Sequence, residues 1–304
     1  MKIVYLGTPD FAVLPLERIN ASSHEILAVV TQPDRPFGRK AVITPCAVKS
    51  KAIELGLKTL SYEKIRLEGV EDLKALNPDI MVTCAFGQIL SKEILDIPKF
   101  GVINIHASLL PKYRGSAPIQ YAIINGDKKT GVTIMQTDVG VDTGDILLQE
   151  EVEISPTETA GELFEKLSNL GANIIVKALD KIERGEITPV KQDESLASHV
   201  KMLSKSDGVI DFSKPAIEIN NLVRGLNPWP IAYTYLGDKT LKVYRAEVCL
   251  ENGEIGRVLS TDNGLVIGCG ENSIKLLEVQ LEGSKKMPIK DFLLGHKLNV
   301  GYKF

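Results

Sequence analysis

The chain has 304 residues, 44% hydrophobic and 25% charged, with a formal net charge of −3. This is the balance of an ordinary globular protein of about two domains, and the net charge gives no global sign of nucleic-acid binding. No apolar run approaches the ~20 residues of a membrane helix and the first residues carry no signal-peptide pattern, so a cytoplasmic protein without a membrane partner is expected.

The opening MKIVYLGTPDFAVLPLERI reads as a buried strand over Ile3–Leu6, a tight turn at Gly7-Thr8-Pro9 and an amphipathic helix. This is the usual start of a doubly wound α/β domain. Only Gly7 stands where a dinucleotide fingerprint needs three glycines, which argues against a nicotinamide enzyme. Glu25–Thr31 is a second strand. The stretch Thr31–Lys51 after it is too long and irregular for an ordinary strand–helix connection. It holds Arg35, Arg39, Lys40, Lys49 and Lys51 against Asp34 alone, and on charge alone a solvated surface loop is favoured over a phosphate-contacting arm.

Asp79–Thr83 and Val102–His106 read as further parallel strands, with a helix signal at SKEILDI between them. The loop CAFGQIL follows a strand's C-terminal end, where open α/β sheets bind ligands, and Gly87 could let backbone approach a flat heterocycle. A plain turn glycine fits those residues equally well. Apolar residues from Leu163 to Ala178 predict an amphipathic helix within Glu162–Glu183.

The spacing then predicts a polar linker at 191–206 between a Rossmann-like, mostly parallel sheet domain at 1–190 and a small domain at 207–304. The latter holds a short strand over Asp207–Phe212, the helical AIEINNLVRGL and about five strand-like runs, which suggests an OB-like β-barrel. Residues 201–304 carry a net +2 against −5 for residues 1–200. Cys46, Cys84, Cys249 and Cys269 form no CxxC pair, which predicts reduced thiols and no zinc site.

In GVINIH, Val102, Asn104 and His106 share one face of a strand, so two polar groups stand at the strand's ligand-binding end. Asn104 can donate to an oxygen that becomes negative, and His106 can move a proton near neutral pH. Asp142, bracketed by Gly140 and Gly144, could orient the ring or take a proton. Each alone is more simply a satisfied core or turn residue. Together they suit acyl transfer to an amine, which needs no Ser or Cys nucleophile.

The segments N-I-H-x-S-L-L-P-x-Y-R-G, T-G-V-T and V-D-T-G-D-I, between Asn104 and Ile146, resemble the signature of the 10-formyltetrahydrofolate-dependent formyltransferases. The resemblance implies that Asn104, His106 and Asp142 are the catalytic trio. It implies a folate site at Phe86, Gly87, Gln88, Ile89 and Leu90 together with Ser108, Leu109, Leu110 and Pro111, with 10-formyltetrahydrofolate as cosubstrate and no metal. L-G-T-P-D-F-A, T-Q-P-D-R-P-x-G-R and R-G-L-N-P-W-P further resemble the branch that acts on methionyl initiator tRNA. That likeness reverses the reading of the basic loop and implies tRNA contacts at Arg39 and, more weakly, at Arg35, Lys40 and Lys49. A monomer is expected. The alternative acceptor is the amine of a sugar nucleotide.

Overall fold

The run Lys2–Gly7 forms the central strand β1, buried at every residue after Lys2. The structure is a computed structural model that describes residues 1–38, 41–262 and 264–304. Further strands follow as β2 (Glu25–Thr31), β3 (Arg35–Phe37), β4 (Val42–Thr44), β5 (Thr59–Ser61), β6 (Ile80–Cys84) and β7 (Val102–His106). Next come β8 (Arg114–Gly115), β9 (Lys129–Gln136) and β10 (Ile146–Glu153). The main sheet has the order β10-β9-β7-β6-β1-β2-β5. β5, β2, β1, β6 and β7 are parallel, and β9 runs antiparallel to β7. The chain builds outward from β1 to one side, then returns through β6 to the other. That reversal opens a crevice at the C-terminal ends of the strands, where such sheets hold their ligands.

The helices are α1 (Val13–Asn20), α2 (Ala47–Glu54), α3 (Ile65–Glu68), α4 (Val70–Leu76), α5 (Lys92–Leu95), α6 (Pro118–Ile124), α7 (Ala160–Glu183), α8 (Ala216–Gly225) and α9 (Ile289–Gly295). One face of the sheet buries Val4, Leu6, Val30, Met81 and Val102 with Ile65, Leu73 and Ile94. Each such side chain contributes roughly 1.5–3 kcal/mol on leaving water. On β7 the alternation of the pleat separates two environments. Ile105 lies under α7, where a Cβ on Gly171 would stand 3.1 Å from its Cγ2. Asn104 and His106 therefore take the other face.

Two compact units are interleaved in sequence. The first comprises Met1–Gly115, Thr130–Val152 and Phe164–His199; the second comprises Ser116–Lys129, Glu153–Leu163 and Val200–Phe304. After β11 (His199–Val200), the second unit's strands are β12 (Ala232–Leu236), β13 (Lys239–Cys249), β14 (Val258–Ser260), β15 (Leu265–Gly268), β16 (Ser273–Leu281) and β17 (Met287–Pro288). They form an antiparallel sheet in the order β12-β13-β16-β15-β14, with β17 on β16. Its core joins Leu241, Val243, Ile267 and Leu276 to Ile219 and Val223 of α8. α6 belongs to this unit because Gly225 of α8 lets the two helices meet: a Cβ there would stand 2.6 Å from Ile124 Cγ1.

The strand expected over Asp207–Phe212 is absent. Lys205–Gly208 is a 3-10 turn, and Val209 makes a single bridge to Tyr233. The cause is a reciprocal capping box, in which the Asp207 carboxylate accepts from the Ser204 N–H (2.8 Å) and hydroxyl (2.6 Å). The Ser204 hydroxyl and then the Lys201 ammonium hold the Asp207 carboxyl down, to about 2. The helix expected at SKEILDI is one turn, Lys92–Leu95, capped by Ser91. All four cysteines are free, and burial pushes the Cys84 and Cys269 thiols up to about 12 and about 11, so both stay protonated and unreactive at neutral pH.

Candidate active site

His106 ends β7 with its side chain buried to 6% exposure. Its Nε2 lies 2.9 Å from the Tyr113 carbonyl oxygen. A carbonyl only accepts, so Nε2 carries the proton and Nδ1 is the nitrogen left for other work. Nδ1 faces Asp142 Oδ2 at 3.6 Å, too long for a direct hydrogen bond. The same Oδ2 accepts the Gly115 N–H at 2.8 Å. His106 and Asp142 thus meet although 36 positions separate them, because the β9–β10 connection brings Asp142 to the end of β7.

Asn104 is half-buried, and its Oδ1 takes a hydrogen bond from Thr83 Oγ1 of β6 at 2.9 Å. Holding Oδ1 on β6 leaves the amide Nδ2 as the donor end. The residues that fix His106 and Asp142 have unusual backbones: Tyr113 has φ 59° and Asp142 has φ 54°. Left-handed backbone at a bulky residue such as Tyr is strained, and such residues cluster at functional sites.

The loop Ala107–Gly115 is tied down along its length. Ser108 Oγ donates to the Lys112 carbonyl at 2.6 Å, and Thr133 Oγ1 donates to the Ser108 carbonyl at 2.6 Å and accepts the Leu110 N–H at 3.1 Å. Ser108 and Leu110 are buried, while Leu109 and Pro111 are half-buried. In the loop after β6, Phe86 and Leu90 are buried. Gln88 uses its side chain internally, accepting from the Ile65 N–H and donating to the Tyr62 carbonyl, both at 2.8 Å. The parts of this loop open to solvent are Ala85, Gly87 and Ile89, the last 75% exposed. Val139 and Val141, beside Asp142, are also exposed apolar groups.

The basic stretch contains a two-stranded ribbon, β3 with β4, that the sequence pattern does not disclose. Arg35 pairs with Glu63 at 2.6 Å, and Lys49 with Asp34 at 2.7 Å. Arg39 and Lys40 lie outside the described residues. Val42 and Ile43 are exposed on the ribbon.

Residues 1–179 match the family model described as formyl transferase, and residues 202–297 match the formyl transferase C-terminal domain. The chain belongs to the formyltransferase family. It is 48% identical over 303 residues to the methionyl-tRNA formyltransferase of Citrifermentans bemidjiense, covering 99% of this chain and 95% of that one. The methionyl-tRNA formyltransferase of Caldanaerobacter subterraneus subsp. tengcongensis is 45% identical, with 99% of both chains covered. Among solved structures, the N-formyltransferase of Helicobacter canadensis in complex with folinic acid and dTDP-3-aminofucose shares the fold. Its TM-score is 0.70 at 21% identity, with 91% of this chain and 99% of that one covered. A sugar 3N-formyl transferase, WlaRD, also has a TM-score of 0.70 at 21% identity, covering 94% of this chain and 99% of that one.

The V-D-T-G segment of this chain is closely packed at its glycine. A Cβ on Gly144 would stand 1.8 Å from the Gln136 carbonyl oxygen, which is backbone and cannot swing away. Gly144→Ala is expected to displace the Asp142 loop and destabilise the fold by roughly 1–3 kcal/mol, as overpacking does. A chemical-denaturation midpoint identical to that of the unaltered chain would refute it.

Proposed function

We propose that this chain transfers the formyl group of 10-formyltetrahydrofolate to the α-amine of methionyl initiator tRNA. One observation carries the reading above all: the chain matches methionyl-tRNA formyltransferases over essentially their whole length at 45–48% identity. The sugar enzymes share the fold at 21%. A C–N bond forms between the α-amine and the formyl carbon, the bond from that carbon to the donor nitrogen breaks, and one proton passes from the amine to that nitrogen.

In this reading Asn104 Nδ2 donates to the formyl oxygen as it becomes negative, while Thr83 keeps the amide turned the right way. His106, fixed by the Tyr113 carbonyl, presents Nδ1 to the reacting groups. The Asp142 carboxylate beside it stabilises the charge the ring gains and receives the amine's proton in passage. Both loops flanking the site fit a folate by their chemistry. Gly87 leaves room for backbone to approach a ring, and Ile89, Val139 and Val141 expose apolar surface that a flat heterocycle covers. Phe86, Gln88, Leu90, Ser108 and Leu110 act by holding the loops in shape, Leu109 and Pro111 by bordering the donor.

The basic stretch after β2, with Arg35, Arg39, Lys40 and Lys49, and the second unit receive the tRNA. The enzyme works as a monomer in the cytoplasm. Among the described residues no helix is long and apolar enough to cross a membrane. The deciding assay offers the purified chain 10-formyltetrahydrofolate with three acceptors: charged initiator methionyl-tRNA, elongator methionyl-tRNA and an amino-sugar nucleotide. Formylation of the initiator well above the other two is expected. Turnover of the sugar alone would overturn the assignment.

A further inference from the structure

The segment 190–199 is polar and has no helix of its own beyond one 3-10 turn, yet it stitches together the two loops that hold the site. Val190 exchanges backbone hydrogen bonds with Ile146 at 2.8 Å, next to the end of the Asp142 loop. At its far end Ser198 Oγ accepts the Tyr113 N–H at 2.8 Å, and the Ser198 carbonyl accepts the Arg114 N–H at 2.8 Å. Tyr113 supplies the carbonyl that orients His106, so this end steadies the ring.

Gln192 lies between these ends and faces both ways. Its Nε2 donates to the carbonyls of Asp142 and Gly144, both at 2.8 Å. Its Oε1 accepts from Arg114 Nε at 3.0 Å and Nη2 at 2.8 Å. Arg114 is 1% exposed and is fixed further by Glu194, so it offers Gln192 a rigid anchor. A primary amide has two N–H donors, and here they converge on the backbone of one turn, on the carbonyls of the two residues that flank Thr143. The turn they close is the one that sets Asp142 at φ 54° with its carboxylate on His106.

We propose that Gln192 is a positioning residue for the formyl-transfer reaction, locking the Asp142 turn to the buried Arg114 so that the carboxylate stays at His106. This rests on the formyltransfer reading of the site. Gln192 Nε2 bonds the Asp142 turn directly, so its hold on the carboxylate runs through that turn. An Oε atom alone would satisfy Arg114; only the amide nitrogen can also hold the two carbonyls. Gln192→Glu therefore separates the two duties. It keeps an acceptor for the guanidinium and replaces the donor by an oxygen facing two carbonyl oxygens.

The test is a double-mutant cycle of Gln192→Glu with Asp142→Asn, assayed for formylation of methionyl-tRNA. In the otherwise unaltered chain Gln192→Glu is expected to lower kcat roughly 10–100-fold, the scale of an ångström-sized misplacement, with KM for both substrates within about threefold. In the Asp142→Asn background the same change is expected to cost less than about twofold. Loss of equal size in both backgrounds, or a kcat for Gln192→Glu within twofold of the parent, would overturn the proposal. The cycle is repeated with Gln192→Met, so a folding defect in one variant does not leave the question open. Hydrogen exchange over residues 138–144 gives a readout independent of the substrate: both Gln192 variants should exchange faster there, and unchanged protection counts against the lock. An unaltered chain that fails to formylate the tRNA, with faster exchange in the variants, would instead strike the proposed function and leave the lock standing.

Discussion

Replacing His106 by alanine is expected to lower kcat roughly 10²–10⁴-fold, the usual contribution of a positioned acid–base group. The expectation follows from the ring's two nitrogens having separate duties. Nε2 is spent on the Tyr113 carbonyl at 2.9 Å, which fixes the tautomer and the ring plane. Nδ1 alone remains for the reaction, beside the Asp142 carboxylate at 3.6 Å. Because the proton moves only as the amine adds, the interaction strengthens in the transition state, so KM should change little while kcat falls. His106→Asn is the sharper control, since it keeps a polar side chain at the end of β7 without the imidazole. A variant of either kind whose kcat stays within a few-fold of the parent, with the fold intact by circular dichroism, would remove His106 from the mechanism.

The strands β1, β2 and β7 were legible because each is a short, nearly continuous apolar run bounded by turn residues, the pattern of a strand buried on both faces. Asn104 and His106 stood out as polar breaks in such a run. The expected strand over Asp207–Phe212 failed for a local reason: Ser204 and Asp207 have capping spacing, and side-chain hydrogen bonds to backbone there compete with extension. The ribbon β3–β4 went unread because its charges and prolines obscure a period of two over only three residues a side. The family resemblance implies Gln88 and Ser108 at the folate site; their side chains bond Tyr62, Ile65 and Lys112. Chain order gives no hint of that, since hydrogen-bond partners 23 and 26 positions away become neighbours only in the fold.

Gln192 and Arg114 show the limit most clearly. Nothing in chain order marks Arg114 as a buried group. The structure buries it, because Gln192 and Glu194 return from 78 and 80 positions away to saturate its planar fork. The stretch that reads as a linker therefore bonds both Arg114 and the Asp142 turn. Only the family resemblance brought R-G into the signature, and it said nothing about what the arginine does.

Arg114→Ala should cost roughly 2–5 kcal/mol of stability in the first unit, the range for emptying a large buried site. The partners differ sharply in exposure: Arg114 is 1% exposed and Glu194 72%. Removing the arginine therefore strands no buried carboxylate, because Glu194 simply turns to water. What is lost is packing around the stem and the fork that fills the space between Gln192 and Glu194. On that argument Arg114→Met, which refills the volume without the charge, should stay within about 1.5 kcal/mol of the parent. Arg114→Lys should recover little of the geometry, since one ammonium cannot reproduce a planar fork bonded to both partners. Because a chain of two units need not unfold in one step, the measurement is hydrogen exchange of the β6 and β7 amides under global-opening conditions. Equal stability for the Ala and Met variants would show that charge, not packing, is what Arg114 supplies. A stable Arg114→Met variant with kcat lowered tenfold or more would show the fork acting at Asp142, since Gln192 Oε1 then loses both of its donors while the core stays filled.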